Sequence, residues 1–123
     1  MPPPLHELGA AALAKSVREG RLSAADVTEA HIRRIEACDG AVNAVVSRRF
    51  DAARAEARAL DEARTRGVSP GPLAGVPITI KDQFRLAGAP TTYGLKARKD
   101  LVEASDGPLV ARLKAAGAVV LGK

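Results

Sequence analysis

Residues 71–82 decide the fold, and they read Gly71-Pro72-Leu73-Ala74-Gly75-Val76-Pro77-Ile78-Thr79-Ile80-Lys81-Asp82. Glycine and proline open the stretch and indicate a turn. Apolar β-branched residues then recur at every second position, a period that is typical of a strand and that puts Lys81 on the opposite face. An apolar run at residues 118–121 provides a second strand for pairing. The stretch therefore predicts a strand that ends in a lysine at or near the end of a sheet.

A lysine in this position has two interpretations. It is either the structural partner of a carboxylate, which is the common case for a lysine in an arbitrary strand, or a working base. A lysine accepts a proton only in its neutral form, which burial away from water or a nearby positive charge favours. The residues around Lys81 decide between the two.

Those residues resemble the amidase signature family, in which a Gly-Val/Ile-Pro-x-x-x-Lys-Asp segment carries the catalytic lysine of a Ser–Ser–Lys triad. Gly75, Pro77, Lys81 and Asp82 occupy the corresponding positions here. The resemblance covers nearly the whole chain in the family's order. The other segments that carry it are Leu22-Ser23-Ala24, Arg34-Ile35, Val42-Asn43-Ala44, Thr91-Thr92-Tyr93-Gly94 and Val110 through Lys123.

The resemblance implies that Lys81 is catalytic. It would exchange a proton with a bridging serine held by a cis peptide bond, and that serine would activate the nucleophilic serine for attack on an amide carbonyl. Asp82 points to the other face of a regular strand and is interpreted as orienting a turn. No metal or organic cofactor is implied, because side chains and backbone donors suffice for this chemistry. Neither the substrate-binding residues nor the amide substrate can be read from the chain.

The serines of the triad are expected downstream of these 123 residues. The chain has no Gly-Ser-Ser cluster, and none of its serines has the glycine-rich flanks of a nucleophile turn. The serines present in the chain are Ser16, Ser23, Ser47, Ser69 and Ser105. We therefore expect the 123 residues to be the N-terminal part of one amidase signature domain and to be inactive alone.

The predicted fold class is α/β, an incomplete amidase signature fold in which N-terminal helices precede the strands of a mixed sheet covered by helices. Residues 1–70 are predicted to be mainly helical. Residues 71–123 are predicted to form the lysine strand, a loop, a helix and a core strand.

Three helices are predicted before the lysine strand. The first runs from Leu5 to Glu19, with Leu5, Leu8, Ala12 and Leu13 on its apolar side. The second begins at the N-cap Ser23 and ends at the turn Asp39-Gly40, after which residues 42–46 form a short strand or an extended link. The third runs from Phe50 to Arg66, and its buried line is Ala53, Ala57 and Leu60.

A metal site has to be considered on the second helix. His31 and Cys38 share its apolar stripe with Ala24, Val27 and Ile35. Two ligands are too few for zinc, and cysteine is often simply interior. We therefore interpret His31 and Cys38 as core residues.

After the lysine strand, residues 86–94 predict a loop, where substrate contacts commonly lie. Leu95 follows the Thr-Thr-x-Gly segment at a position where the family usually has serine. A further helix is predicted from the cap Asp106 and from Pro108 in the first turn, with an apolar side of Leu109, Val110, Leu113 and Ala116. Gly117 ends this helix, and residues 118–121 form a strand suited to the middle of a sheet.

The last seven residues, 117–123, also fit the G-x-x-x-x-G-K spacing of a phosphate-binding loop. Such a loop presents its backbone N–H groups to phosphate from a turn between a strand and a helix. Here the intervening residues are apolar and β-branched and follow a helix, so a sheet strand would use those N–H groups in its own ladder. Nucleotide binding is therefore disfavoured.

Charge and composition bear on partners and location. The net charge of +5 could indicate nucleic acid, but both signs are interspersed along the helices and aromatic residues make up only 2% of the chain. We expect no direct nucleic-acid contact and no membrane. The single cysteine cannot form an internal disulfide, and the start of the chain lacks a signal-peptide pattern, so a cytoplasmic location is expected.

Three functions remain under consideration. The leading one is an amidase that hydrolyses a linear carboxamide to a carboxylic acid and ammonia or an amine. The second is the amide-hydrolysing subunit of the complex that amidates misacylated tRNA, and the third is a non-catalytic interaction module on the same scaffold. The partners considered are accordingly a small-molecule amide, a second copy of the chain as a homodimer, or amidotransferase partner subunits.

Overall fold

Four α-helices and two short strands make up the regular part of the computed structural model, which describes residues 1–123. The helices are α1 (Ala10–Arg18), α2 (Ala24–Val42), α3 (Phe50–Thr65) and α4 (Pro108–Ala115). The strands are β1 (Pro77–Thr79) and β2 (Val119–Gly122). Single 3-10 turns occur at Leu5–Glu7 and Lys96–Arg98. No helix has both the length and the apolar character needed to cross a membrane.

The two strands run parallel, and their register pairs Ile78 with Val120 and Thr79 with Gly122. On the other side of β2, Arg48 forms a single antiparallel bridge to Gly122. β2 therefore has a partner on each side, and all four of its residues are buried. The prediction of an α/β fold with an apolar central strand is confirmed.

The side chains of β2 divide the interior into two clusters. Val119 and Leu121 point towards helices α1, α2 and α3, where they join a cluster of twelve buried residues. Val120 points to the opposite face and packs in a smaller cluster with Leu86 and Val110. A strand that buries both faces can be apolar throughout, which explains the uninterrupted apolar run in the sequence.

Helices α2 and α3 pack closely because small residues line their contact. Ala53 and Ala57 are completely buried, as predicted, and Leu60 is half-buried. The carboxylate of Asp61 on α3 accepts hydrogen bonds from the backbone N–H groups of Ala24 and Ala25, at 2.7 and 3.0 Å. These bonds satisfy donors that a helix N-terminus leaves free, so α3 caps α2 across the interface.

The predicted first helix is divided into two pieces. The 3-10 turn ends at Glu7, and α1 begins at Ala10 with Gly9 in an extended conformation at its N-cap. Glycine loses more conformational freedom in a helix than other residues do, so an interruption at Gly9 is less costly than it would be elsewhere. The buried face of α1 is Leu13, Ala14 and Val17, whereas Ala12 is exposed, contrary to the prediction.

Helix α2 begins as predicted but ends later. The Ser23 hydroxyl accepts a hydrogen bond from the Asp26 N–H at 2.9 Å, which confirms the N-cap. The predicted turn at Asp39-Gly40 is wrong, because the helix continues to Val42 and ends at Asn43, which adopts a left-handed conformation. The Asp39 carboxylate accepts the N–H groups of Ala44 and Val45 and so closes the helix end.

The segment after α2 is the extended link that was predicted as the alternative to a short strand. Residues 43–46 form no strand, and the Val46 N–H donates to the Lys123 carbonyl at the margin of the sheet. The buried stripe of α2, however, is rotated from the predicted one. His31 and Cys38 are half-buried, whereas Ile32 is completely buried and belongs to the core.

Helix α4 starts at Pro108 as predicted, but Asp106 does not cap it. Gly107 is the N-cap, without a side-chain bond. Asp106 instead accepts the Ala87 N–H at 2.8 Å and pairs with Lys114 at 2.9 Å, and these two contacts occupy its carboxylate. Leu109 was predicted to be apolar core and is 47% exposed.

Candidate functional site

Lys81 lies two residues beyond β1, at the edge of the sheet where both parallel strands have their carboxyl ends. The Ile80 N–H donates to the Gly122 carbonyl at 2.9 Å and is the last bond between the two chain segments before Lys81. Val76 and Ile80 are buried, whereas Thr79 and Lys81 are exposed, so the predicted alternation of faces is confirmed. None of the ion pairs within residues 1–123 includes Lys81.

Asp82 organises the turn that lies beside this edge. Its carboxylate accepts hydrogen bonds from the Thr92 N–H and Thr92 hydroxyl, both at 3.1 Å, and from the Tyr93 N–H at 2.7 Å. The Thr92 hydroxyl oxygen in turn accepts the Gly94 N–H at 3.1 Å. The interpretation of Asp82 as a residue that orients a turn is therefore confirmed.

The protonation state of Asp82 follows from these contacts. Burial favours its neutral form, but the hydrogen bond from Tyr93, the bonds from Thr92 and the positive charge of Lys123 outweigh burial and hold the pKa below its ordinary value. Asp82 is thus an ionised acceptor at neutral pH.

Lys123 is the residue that the sequence interpretation missed. It directly follows β2, its side chain is completely buried, and its ammonium donates to the Asp82 carbonyl at 2.7 Å and the Pro90 carbonyl at 2.9 Å. Its third contact is the Thr91 hydroxyl at 3.3 Å. Burial lowers the pKa of Lys123, and the nearby carboxylates of Asp82 and Glu103 oppose that shift. The pairing of two parallel strands that each run into a lysine was the available signal, because their carboxyl ends share one edge.

The turn beside the site is supported from its outer side as well. Arg98 donates through Nε to the Thr91 carbonyl at 3.0 Å, and its guanidinium lies 5.5 Å from the centre of the Tyr93 ring. Leu95 follows the turn, donates its N–H to the Thr92 carbonyl and is 58% exposed. The loop predicted for residues 86–94 has no helix or strand, as expected.

The geometry contradicts a phosphate-binding loop at residues 117–123. The N–H groups of Val119 and Lys123 donate to the carbonyls of Val76 and Ser47, at 2.9 and 2.8 Å. The lysine ammonium points into the protein, where its contacts are carbonyl and hydroxyl oxygens. The backbone donors that would cradle a phosphate are therefore occupied by the sheet.

The two residues considered for a metal site do not meet further ligands. His31 contacts the Val27 carbonyl through Nδ1 at 2.8 Å, which is a bond within its own helix. Residues 1–123 contain no group of three or more His, Cys, Asp or Glu side chains placed to hold a metal ion.

Comparison with known proteins gives a consistent result. The family profile described as Amidase matches residues 26–123. A glutamyl-tRNA(Gln) amidotransferase subunit of Streptomyces coelicolor is 47% identical over 117 residues, which are 95% of this chain and 24% of that protein. Fatty-acid amide hydrolase 2-A of Danio rerio is 43% identical over 126 aligned residues, with 97% of this chain and 24% of that protein covered.

A solved structure shows the same arrangement. The crystal structure of a bacterial aryl acylamidase of the amidase signature enzymes superposes with a TM-score of 0.91 at 33% identity. The alignment covers 98% of this chain and 25% of that one. The chain thus spans about a quarter of the length of the proteins that it matches.

Proposed function

Because the chain belongs to the amidase signature family, we propose that it contributes the lysine of an amidase that hydrolyses a linear carboxamide to a carboxylic acid and ammonia or an amine. The proposal assigns Lys81 as the catalytic residue. It assigns the two serines of the Ser–cis-Ser–Lys triad to polypeptide outside residues 1–123. No cofactor takes part.

The proposed reaction has two halves. Neutral Lys81 takes a proton from the bridging serine, which takes one from the nucleophilic serine as its oxygen attacks the amide carbonyl carbon. The C–N bond breaks, the proton passes back to the leaving nitrogen, and an ester to the serine remains. Water then cleaves that ester with the lysine again acting first as base and then as acid.

The observation that carries the proposal is the position of Lys81. Its side chain lies at the carboxyl edge of a parallel strand pair, the edge at which α/β sheets typically bind their ligands, and it forms no ion pair within residues 1–123. A lysine with a structural role would be expected to pair with a carboxylate. The eight ion pairs in these residues involve other side chains.

Substitution of Lys81 tests the proposal in the full-length protein. We expect Lys81→Met to lower kcat/KM for a small amide by about 1,000-fold or more, because general base and nucleophile activation are lost together. Lys96→Met is the matched control, since Lys96 is also exposed and follows the neighbouring turn. Amide turnover that survives in Lys81→Met would overturn the assignment.

A second candidate is the glutamine-hydrolysing role in a tRNA-dependent amidotransferase. The 47% identity to the amidotransferase subunit of Streptomyces coelicolor favours it. Ammonia release from glutamine, measured with and without the other subunits of such a complex, separates the candidates. Release that requires those subunits indicates the amidotransferase, and turnover of simple amides by the protein alone indicates the hydrolase.

The remaining parts of the proposal concern assembly and location. We propose a cytoplasmic protein that acts as a homodimer or with amidotransferase partner subunits. A third outcome is possible. If the full-length protein turns over no amide, and Lys81→Met leaves its binding to the amidotransferase partner subunits unchanged, the non-catalytic interaction module is favoured instead.

A further inference from the structure

The ammonium of Lys123 has a complete set of neutral acceptors. A protonated lysine has three N–H donors, and the three nearest oxygens are the Asp82 carbonyl, the Pro90 carbonyl and the Thr91 hydroxyl. The nearest carboxylate oxygen, on Asp82, is farther away at 3.9 Å. The side chain therefore acts as a donor to the backbone more than as half of an ion pair.

The acceptors belong to two chain segments that flank the candidate site. One is the carbonyl of Asp82, the residue that directly follows Lys81, and the other is the start of the turn at Pro90 and Thr91. The Asp82 carboxylate reaches the same turn through Thr92. Lys123 and Asp82 thus close a ring of contacts, which we call the ammonium clamp.

The clamp fixes the chain on the carboxyl side of Lys81, and the sheet fixes it on the amino side. The last sheet bond before Lys81 is from the Ile80 N–H to the Gly122 carbonyl, at 2.9 Å. On the carboxyl side, the Lys81 carbonyl accepts the Phe84 N–H at 3.0 Å, and Lys123 donates to the Asp82 carbonyl at 2.7 Å. The backbone of Lys81 is therefore held from both sides by consecutive residues of the neighbouring strand end, Gly122 and Lys123.

We propose that Lys123 is a positioning residue, which orients Lys81 and the turn at residues 91–94 relative to each other; this inference rests on the catalytic role proposed for Lys81. Lys123 does not touch the reacting atoms. Without its ammonium, two partly buried carbonyl oxygens and a buried hydroxyl lose their donor, and the peptide between Asp82 and Gln83 is free to rotate towards water.

The test is Lys123→Met in the full-length protein, with kcat and KM measured separately on a small amide. A misplacement of about 1 Å can cost about 100-fold in rate, so we expect kcat to fall roughly 10- to 100-fold while KM changes little. Lys114→Met is the matched control. It removes a half-buried lysine from an ion pair with Asp106, and we expect its kcat to stay within about twofold. A kcat for Lys123→Met equal to that of the control would overturn the inference.

A second pair of variants applies even where Lys123→Met fails to fold. Thr91→Val removes one acceptor of the clamp at nearly constant volume, and Thr91→Ser keeps the hydroxyl. We expect Thr91→Val to lower kcat about threefold to tenfold and Thr91→Ser to restore most of it. Equal kcat values in these two variants would contradict the clamp, because they differ mainly in the hydroxyl.

Hydrogen exchange separates failure of this inference from failure of the proposed function. The Thr92 and Tyr93 amides donate to Asp82 and should be protected, and Lys123→Met should raise their exchange rates at least about tenfold. Faster exchange together with an active Lys81→Met variant would support the clamp and reject the catalytic role of Lys81. Unchanged exchange would reject the clamp whatever the activity of Lys81→Met.

Discussion

The α2–α3 helix pair and the carboxyl edge of the sheet are stabilised in different ways. The helix pair is joined by buried alanines and by a partly exposed ion pair, in which Arg54 donates to the Glu29 carboxylate at 2.8 and 3.3 Å. At the sheet edge, buried or half-buried charges on Lys123 and Asp82 bond mainly to backbone groups of a loop. Side-chain pairs can rearrange independently, whereas bonds to a loop backbone determine the path of the chain.

This difference shows why an irregular segment can hold a fixed geometry. Residues 82–95 contain no helix or strand, yet their turn is bonded to Asp82, Lys123 and Arg98. The charged side chains replace the backbone ladder that a regular element would supply. We therefore expect substitutions at the sheet edge to cost more than comparable substitutions in the helix pair.

The largest effect is expected from close backbone packing at the start of β2. Gly117 has a φ of +97°, and a Cβ there would overlap the carbonyl oxygen of Pro70. Gly67, after α3, has a similar φ of +81° but open space around it. Gly117→Ala should lower the free energy of unfolding by about 4 kcal/mol or more, and Gly67→Ala by about 1 kcal/mol from the left-handed conformation alone.

Denaturant unfolding of the two full-length glycine variants measures this difference. Because both positions carry the conformational cost, the difference between the variants reports the clash with Pro70. Similar stabilities would mean that the chain around Gly117 is no more tightly packed than the helix end.

The second comparison concerns two carboxylates that accept backbone N–H groups. Asp82→Ala leaves two N–H groups and a hydroxyl without their ionised acceptor and should cost about 3 kcal/mol. Asp61→Ala removes a helix cap that accepts two backbone N–H groups, of which only the one on Ala25 belongs to a partly exposed residue, and it should cost about 1 to 2 kcal/mol. Thermal unfolding at neutral pH is the measurement, and the reverse order would break the comparison.

The smallest effect is expected in the helix pair itself. The hydrogen bond from Arg54 holds the pKa of Glu29 below its ordinary value of 4.5, against the opposing effect of burial. A lowered carboxyl pKa gives stability that is present above pH 4.5 and is lost as the pH falls through the folded-state value. Arg54→Met should therefore lower the free energy of unfolding slightly at pH 7 and by less at pH 3.5.

Unfolding at both pH values tests this, with Arg58→Met as the control on the same helix. Arg58 is exposed and has no ion pair among the described residues. A cost for Arg54→Met that is equal at the two pH values would show that packing of its stem, not the ion pair, supports the interface.

The sequence predicted what depends on neighbours along the chain. Short hydrophobic periods predicted the alternation around Lys81 and the alanine line of α3, and adjacent backbone donors predicted the N-cap at Ser23. The resemblance added the fold, because the motif residues stand in order through nearly the whole chain.

The errors occur where a charged side chain meets backbone far away in the sequence. Asp106 resembles a cap but bonds to Ala87, and the contacts of Lys123 with Asp82 and Pro90 were not predicted. The hydrophobic periodicity of the sequence does not indicate such long-range contacts. The end of α2 was misplaced for a related reason, because the side chain of Asp39 closes the helix from within its last turn.

The long separation between the paired strands has a consequence for the order of folding. β1 pairs with residues 119–122, so the two strands can meet only after the intervening loop and α4 have been synthesised. The α2–α3 hairpin can form without that delay, because the residues that contact each other in it are close in sequence. During translation the helical hairpin can form first, and the segment that carries Lys81 acquires its final geometry only after Lys123 has left the ribosome.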